Sequence, residues 1–171
     1  MLSNIFQGTA MCADTDVKQI YQDLRKAALH TSYESLGLEF SGDKIAVYGT
    51  FIERRYGDAL AIITAYGTGD ASVYISHGGG YIGGIGIDAI NKAAKDFVGF
   101  SQNYLPLAKK SDDFSFPEGL EVKFYFLTNK GVYIAKDSMS NKDSKLIPLY
   151  IEGEKIFMEY IKHQNNNNKP K

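Results

Sequence analysis

The 171-residue chain has a single cysteine, Cys12, and no tryptophan. One thiol excludes an intrachain disulfide. A chain without disulfides suits a reducing compartment, so the expected location is cytoplasmic. CxxC pairs and HExxH are absent, and His30, His77 and His163 are far apart, so spacing nominates no metal site and no cofactor. There is no G-x-S-x-G nucleophile elbow. Ser76 and His77 are adjacent, but neighbours on a strand point to opposite faces, so they form no catalytic pair, and no catalytic residue is nominated. No Gly-Lys-Ser/Thr occurs, which removes a Walker-type phosphate loop. No apolar run approaches the roughly 18 residues of a membrane span. Met1 to Ala13 lacks the basic start and continuous apolar core of a signal peptide, and residues 1–14 read as a flexible extension. Nineteen Lys and Arg face 20 Asp and Glu without a long basic stripe. Nucleic acid and membrane are therefore not expected as partners.

What is present suits one globular domain. Hydrophobic residues make up 44% and charged residues 23%, with 12 Tyr and 10 Phe to fill strands, a core or an interface. The domain is expected over residues 15–163. The tail 164–171 holds four consecutive Asn and reads as disordered.

Glycine is concentrated in one place. Ser76-His77-Gly78-Gly79-Gly80-Tyr81-Ile82-Gly83-Gly84-Ile85-Gly86 lies between a strand-like run and a helix-like run. Glycine costs backbone entropy, so such a density needs a reason. Four readings stand open: a sharp turn from sheet to helix, a loop for a partner, an anion cradle at the helix N-terminus, or a close helix–sheet contact. Gly78, Gly80 and Gly83 satisfy G-x-G-x-x-G. Against a dinucleotide site, the preceding strand looks antiparallel, no strand ending in an acid follows at the expected distance, and Asp88 at the helix start would repel phosphate. Tyr81 and Ile82 either cap the core or are shown to a partner.

Taken in order, Asp16 and Gln19 form a capping box for a first helix. Its apolar face is Val17, Ile20, Tyr21, Leu24 and Ala28, and Arg25 falls on the polar side. His30 ends it as a surface residue. A strand is expected from Lys44 to Glu53, with Gly49 marking a bulge or close contact. Glu53 to Asp58 reads as a polar turn; Glu53, Arg54 and Arg55 would suit an anion, but a solvated turn accounts for them better. Strands Ala59–Tyr66 and Ala71–Ser76 form a hairpin about Gly67–Asp70. A helix follows over Asp88–Phe100, with Ile87, Ile90, Ala94, Phe97 and Val98 on one stripe. Ser101–Gly119 reads as a polar surface connection in which Asp112 and Asp113 are ordinary loop acids. Strands Glu121–Thr128 and Val132–Lys136 pair across Asn129–Gly131, and Asp137 opens another polar loop. A last helix runs from about Leu149 to His163, where Gly153 marks a late start.

The expected order is α-βββ-α-ββ-α. It makes an α+β domain with about five mostly antiparallel strands and three helices. Profilin-like and roadblock-like small domains have a similar inventory, although the roadblock order exchanges the strand counts around its central helix. That is fold-level analogy without functional content.

Ser72-Val73-Tyr74-Ile75-Ser76-His77-Gly78-Gly79-Gly80-Tyr81-Ile82-Gly83-Gly84 resembles a pattern in an uncharacterised family of small bacterial proteins. Val122–Thr128, Gly131-Val132 and Leu146-Ile147-Pro148-Leu149 are similar to its later segments. The likeness spans about Val47 to Ile161. It implies bacterial origin and one domain, and no chemistry.

The expected function is a non-enzymatic interaction or accessory role, compatible with an immunity-like protein, in which the glycine-rich loop and the neighbouring sheet edge bind another protein or a second copy. Its candidate residues are His77, Gly78, Gly79, Gly80, Tyr81, Ile82, Gly83, Gly84 and Gly86. The alternative is a small-ligand or nucleotide-binding protein with an anion cradled on Gly78–Gly86.

Overall fold

Strand β1 (Val47–Tyr56) is the longest in the computed structural model, which describes residues 14–167. It pairs antiparallel with β2 (Ala59–Tyr66) on one edge and β6 (Glu121–Thr128) on the other. β3 (Ala71–Ile75) and β4 (Gly80–Tyr81) extend the sheet beyond β2; β7 (Gly131–Ser138) and β5 (Lys109–Lys110) extend it beyond β6. The order is β4-β3-β2-β1-β6-β7-β5, antiparallel throughout. The sheet has seven strands where five were expected. Both additions are two residues long, too short to show any alternation in sequence.

Helices lie on both faces of the sheet. Helix α2 (Asp88–Ser101) and helix α3 (Ile147–Asn167) pack on one, around Ile52, Ile63, Val73, Phe124 and Phe126. Helix α1 (Asp14–Leu29) packs on the other with Phe114 and Phe116, over Phe51, Ile62, Tyr125 and Leu127. Alternating side chains of β1 and β6 therefore feed two cores. The α2 stripe folds as its spacing predicts, with Ile90, Ala94, Phe97 and Val98 buried. Each large apolar side chain so buried contributes about 1.5–3 kcal/mol.

Several boundaries differ from the expectations. β1 continues through Glu53, Arg54 and Arg55 to Tyr56, and the turn is only Gly57 and Asp58. Pairing on both edges at Glu53 and Arg54, and with β2 alone at Arg55, holds these charged residues in the sheet and overrides their polarity. The register shifts between Val47 and Gly49, which puts Tyr48 and Phe51 into the same core. The Ser101–Gly119 connection is not merely a surface loop: it forms a 3-10 turn over Gln102–Leu107, then β5, and its Pro117 is buried. α1 turns Arg25 inward and leaves Ile20 half exposed. α3 is longer than expected at both ends, and Gln164–Asn167 of the supposed tail are helical. Gly153 sits inside α3 and starts nothing. A Cβ there would lie 3.0 Å from Phe97 Cζ and would overlap Ile52, so glycine lets α3 settle on the sheet. Its cost to the helix, about 1 kcal/mol, is offset by that contact. Residues 1–13 and 168–171, expected as extension and tail, lie outside the described residues.

Candidate functional site

The glycine stretch closes the β4 edge and leads into α2. Ser76 is buried, and its hydroxyl accepts the Leu60 N–H at 2.8 Å. His77 and Gly78 to Gly80 are exposed. Gly80 has φ 140° while pairing with Tyr74, and a Cβ there would overlap the Val73 carbonyl, so no other residue fits. Tyr81 folds inward. Its ring stacks on Tyr160 at 4.8 Å and its hydroxyl donates to Gln164 at 2.8 Å. Ile82 points the other way and is 64% exposed; Ile85 is 55% exposed. Gly83 is exposed, Gly84 is buried against Ile90 and Tyr160, and Gly86 is exposed. The two candidates read together in the sequence thus separate, with Tyr81 capping the core and Ile82 left to solvent.

Three N–H groups of this segment are engaged within the protein. Gly78 donates to Ile75 at 3.0 Å, Ile87 to Gly84 at 3.0 Å, and Gly83 to the Ser72 hydroxyl at 3.5 Å. Asp88 stands exposed in the first turn of α2.

The charged residues read as a turn are the ones the fold uses most. Glu53 is fully buried on the α1 face. Arg25 Nε donates to its Oε1 at 2.6 Å and Nη2 to its Oε2 at 2.8 Å. Tyr21 donates to Oε1 at 2.6 Å and Tyr125 to Oε2 at 2.7 Å, which fills the carboxylate's acceptor sites. Arg25 Nη2 also reaches the Phe114 carbonyl and the Tyr125 oxygen, each at 2.9 Å, and the guanidinium lies over the Phe116 ring. Burial, then the Glu53 charge, pushes the Tyr21 and Tyr125 phenols well above their ordinary value. Burial pulls Arg25 down, but its bonds to Glu53 prevail and its pKa rises.

Directly across from Glu53 in β6, Lys123 is 1% exposed. Its ammonium donates to Ser115 O at 2.7 Å and Oγ at 2.8 Å. Burial, then the charge of Lys136, lowers its pKa. Segment 113–117 therefore straps four cations: Asp113 takes Lys136, Phe114 takes Arg25, Ser115 takes Lys123 and Pro117 takes Arg55. The network is closed and satisfied. It holds α1 and the strap to the sheet.

On the other face, Arg54 is less well served. Its Nε is buried with no hydrogen-bond partner among the described residues, and Nη2 stands 3.9 Å from Glu154. Its guanidinium packs on the Tyr56 ring at 3.3 Å and faces Tyr150 at 5.3 Å. Glu154 accepts the Tyr56 hydroxyl at 3.2 Å. Arg54, Tyr56 and Glu154 form one end of a cavity of about 270 Å³ that is otherwise apolar. A second cavity, about 310 Å³, lies between Phe124, Asp137 and Tyr150. Asp137 already accepts from Ser138, Asn141 and Ser144 there. Neither cavity is lined by a residue of the glycine stretch.

No protein-family model, curated protein or solved structure matches this chain.

Arg25, Glu53 and Lys123 were missed as buried residues. A signal existed for two of them. Arg25 is four residues from Tyr21 and three from Ala28, on the rim of the apolar stripe. Glu53 continues the alternation set by Phe51. Among the described residues, no group of three or more His, Cys, Asp or Glu is placed to hold a metal ion, and no helix is long and apolar enough to cross a membrane.

Proposed function

We propose that this chain is a protein-interaction or accessory protein without catalysis of its own, presenting the glycine-rich stretch and the β4 edge to a partner. The observation that carries this reading is the exposure of Ile82 and Ile85, 64% and 55%, within four residues of each other. Leaving either in water forgoes about 1.5–3 kcal/mol. From Ser76 to Ile87 the chain has no Asp, Glu, Lys or Arg, so covering this segment desolvates no fixed charge. The far edge of the sheet is different: β5 consists of Lys109 and Lys110, both exposed, a common guard against edge pairing. The anion-cradle reading has less support, because the Gly78, Gly83 and Ile87 N–H groups are spent within the protein.

The test uses wild type and the double variant Ile82→Ser/Ile85→Ser as matched baits for chemical cross-linking in the native host, with light scattering to detect self-association. A partner or dimer present with wild type, lost with the variant and cross-linked within residues 76–87 is the expected result. Identical partners and masses for both proteins would refute the reading.

A further inference from the structure

The cavity beside Arg54 has the composition of a small-molecule site, an apolar body with a few polar groups gathered at one end. Its floor is the sheet itself, through Ile52, Ile63, Val73 and Ile75, and Phe157 of α3 forms a wall. The polar end holds one cation and one anion, Arg54 and Glu154. At 3.9 Å they are too far apart to hydrogen-bond directly. The Arg54 guanidinium is held by aromatic faces where Arg25 is held by a carboxylate.

Size and charge together narrow the occupant. A cavity of about 270 Å³ is at the small end for a ligand site and favours a compact occupant. A simple anion would meet Arg54 but also the Glu154 carboxylate, and a simple cation would meet the converse. A molecule carrying both charges on one carbon satisfies both partners and leaves its side chain for the isoleucine floor.

We propose that this cavity binds a free hydrophobic α-amino acid, with the α-carboxylate at Arg54, the α-ammonium at Glu154 and the side chain against Ile63, Ile75 and Phe157. A peptide terminus has only one of the two charges beside its last side chain and is the poorer fit. No residue of the glycine stretch lines the site, although Tyr81 pairs with Val73 and packs near Phe157, and the proposal does not depend on the interaction proposed there.

The experiment is calorimetric titration of the full chain with L-phenylalanine, L-leucine, 3-phenylpropionate, phenethylamine, N-acetyl-L-phenylalanine and L-phenylalanine amide. The two free amino acids are expected to bind at least about tenfold tighter than any analogue lacking one charge, the scale of one charge-assisted hydrogen bond. Arg54→Met and Glu154→Gln should each weaken L-phenylalanine by about the same factor while circular dichroism stays unchanged. Ile75→Phe, which fills the floor, should abolish binding. The comparison among ligands needs only the wild-type protein, so a variant that fails to fold does not blunt it. Absence of binding by either amino acid overturns the proposal. So does 3-phenylpropionate or N-acetyl-L-phenylalanine binding as tightly as L-phenylalanine, which would mark an apolar anion or a peptide C-terminus as the occupant. Amide binding of equal strength would mark a peptide N-terminus and likewise overturn it.

Discussion

Two arginines divide this molecule. Arg25 comes from a helix, with 8% of its side chain exposed; Arg54 comes from the central strand, one residue after Glu53, with 19% of its side chain exposed. Arg25 makes two short bonds to a buried carboxylate and reaches a backbone carbonyl and a phenol besides. Arg54 rests on two rings, with its nearest carboxylate 3.9 Å away. Burying a charge is costly unless it is paired and hydrogen-bonded. On the α1 face the Arg25–Glu53 pair meets that condition in full, while buried Lys123 is held by Ser115 with Glu121 4.0 Å away. The α3 face meets it in part, and there the structure keeps a cavity. A satisfied buried pair serves architecture, whereas an incompletely paired charge beside an apolar cavity is where a ligand gains by supplying the missing group.

The largest effect should come from breaking the closed side. Arg25→Met leaves Glu53 buried and uncompensated, and is expected to cost about 3–5 kcal/mol in chemical denaturation. Arg25→Met/Glu53→Gln should lose less than Arg25→Met alone, since the stranded charge is gone. If the double variant is the less stable, the Glu53 carboxylate is compensated by Tyr21 and Tyr125 without Arg25.

The tyrosines give a pH test of the same network. The folded-state pKa values of Tyr21 and Tyr125 lie above the ordinary 10.0. Below 10.0 both states hold these protons and the stabilisation is complete. Above it the unfolded chain loses them first, so stability falls as pH rises toward the folded-state values. Denaturation midpoints should therefore drop steadily above about pH 10, and the drop should shrink in Tyr21→Phe and Tyr125→Phe. At neutral pH, Tyr125→Phe should cost about 1.5–3 kcal/mol, the scale of a hydrogen bond to a charged group.

Arg54→Met should change stability by less than about 1 kcal/mol, as expected for a long, partly exposed pair. A loss as large as that of Arg25→Met would remove the contrast between the two faces. Smallest of all, Ile82→Ser should stay within about 0.5 kcal/mol, because an exposed side chain has no folded-state packing to lose. A larger loss would place Ile82 in the fold rather than at a surface kept for a partner.

Much of the fold was legible in the residues. The α2 stripe gave its helix almost to the residue, and the Gly67–Asp70 turn and Asn129–Gly131 turn gave their hairpins. Gly49 announced the irregularity in β1. The glycine stretch was correctly singled out as a break between strand and helix, but β4 within it was not legible, since two residues carry no period. Glu53-Arg54-Arg55 misled for a physical reason. Local polarity favours solvent, and only partner strands on both edges, with Arg25 arriving from a helix 28 residues away, make a buried carboxylate tolerable.

The sequence by itself determined the three helices and the five longer strands, their order and the absence of familiar catalytic motifs, because periodicity and turn chemistry act over a few neighbouring residues. It also determined that a charge-free, glycine-rich segment would sit between β3 and α2. Only the tertiary structure decided which charges are paired, that Tyr81 turns inward while Ile82 does not, and that a cavity remains beside Arg54. Those outcomes depend on side chains brought together from distant positions, and on which of them reach a partner once water has been excluded.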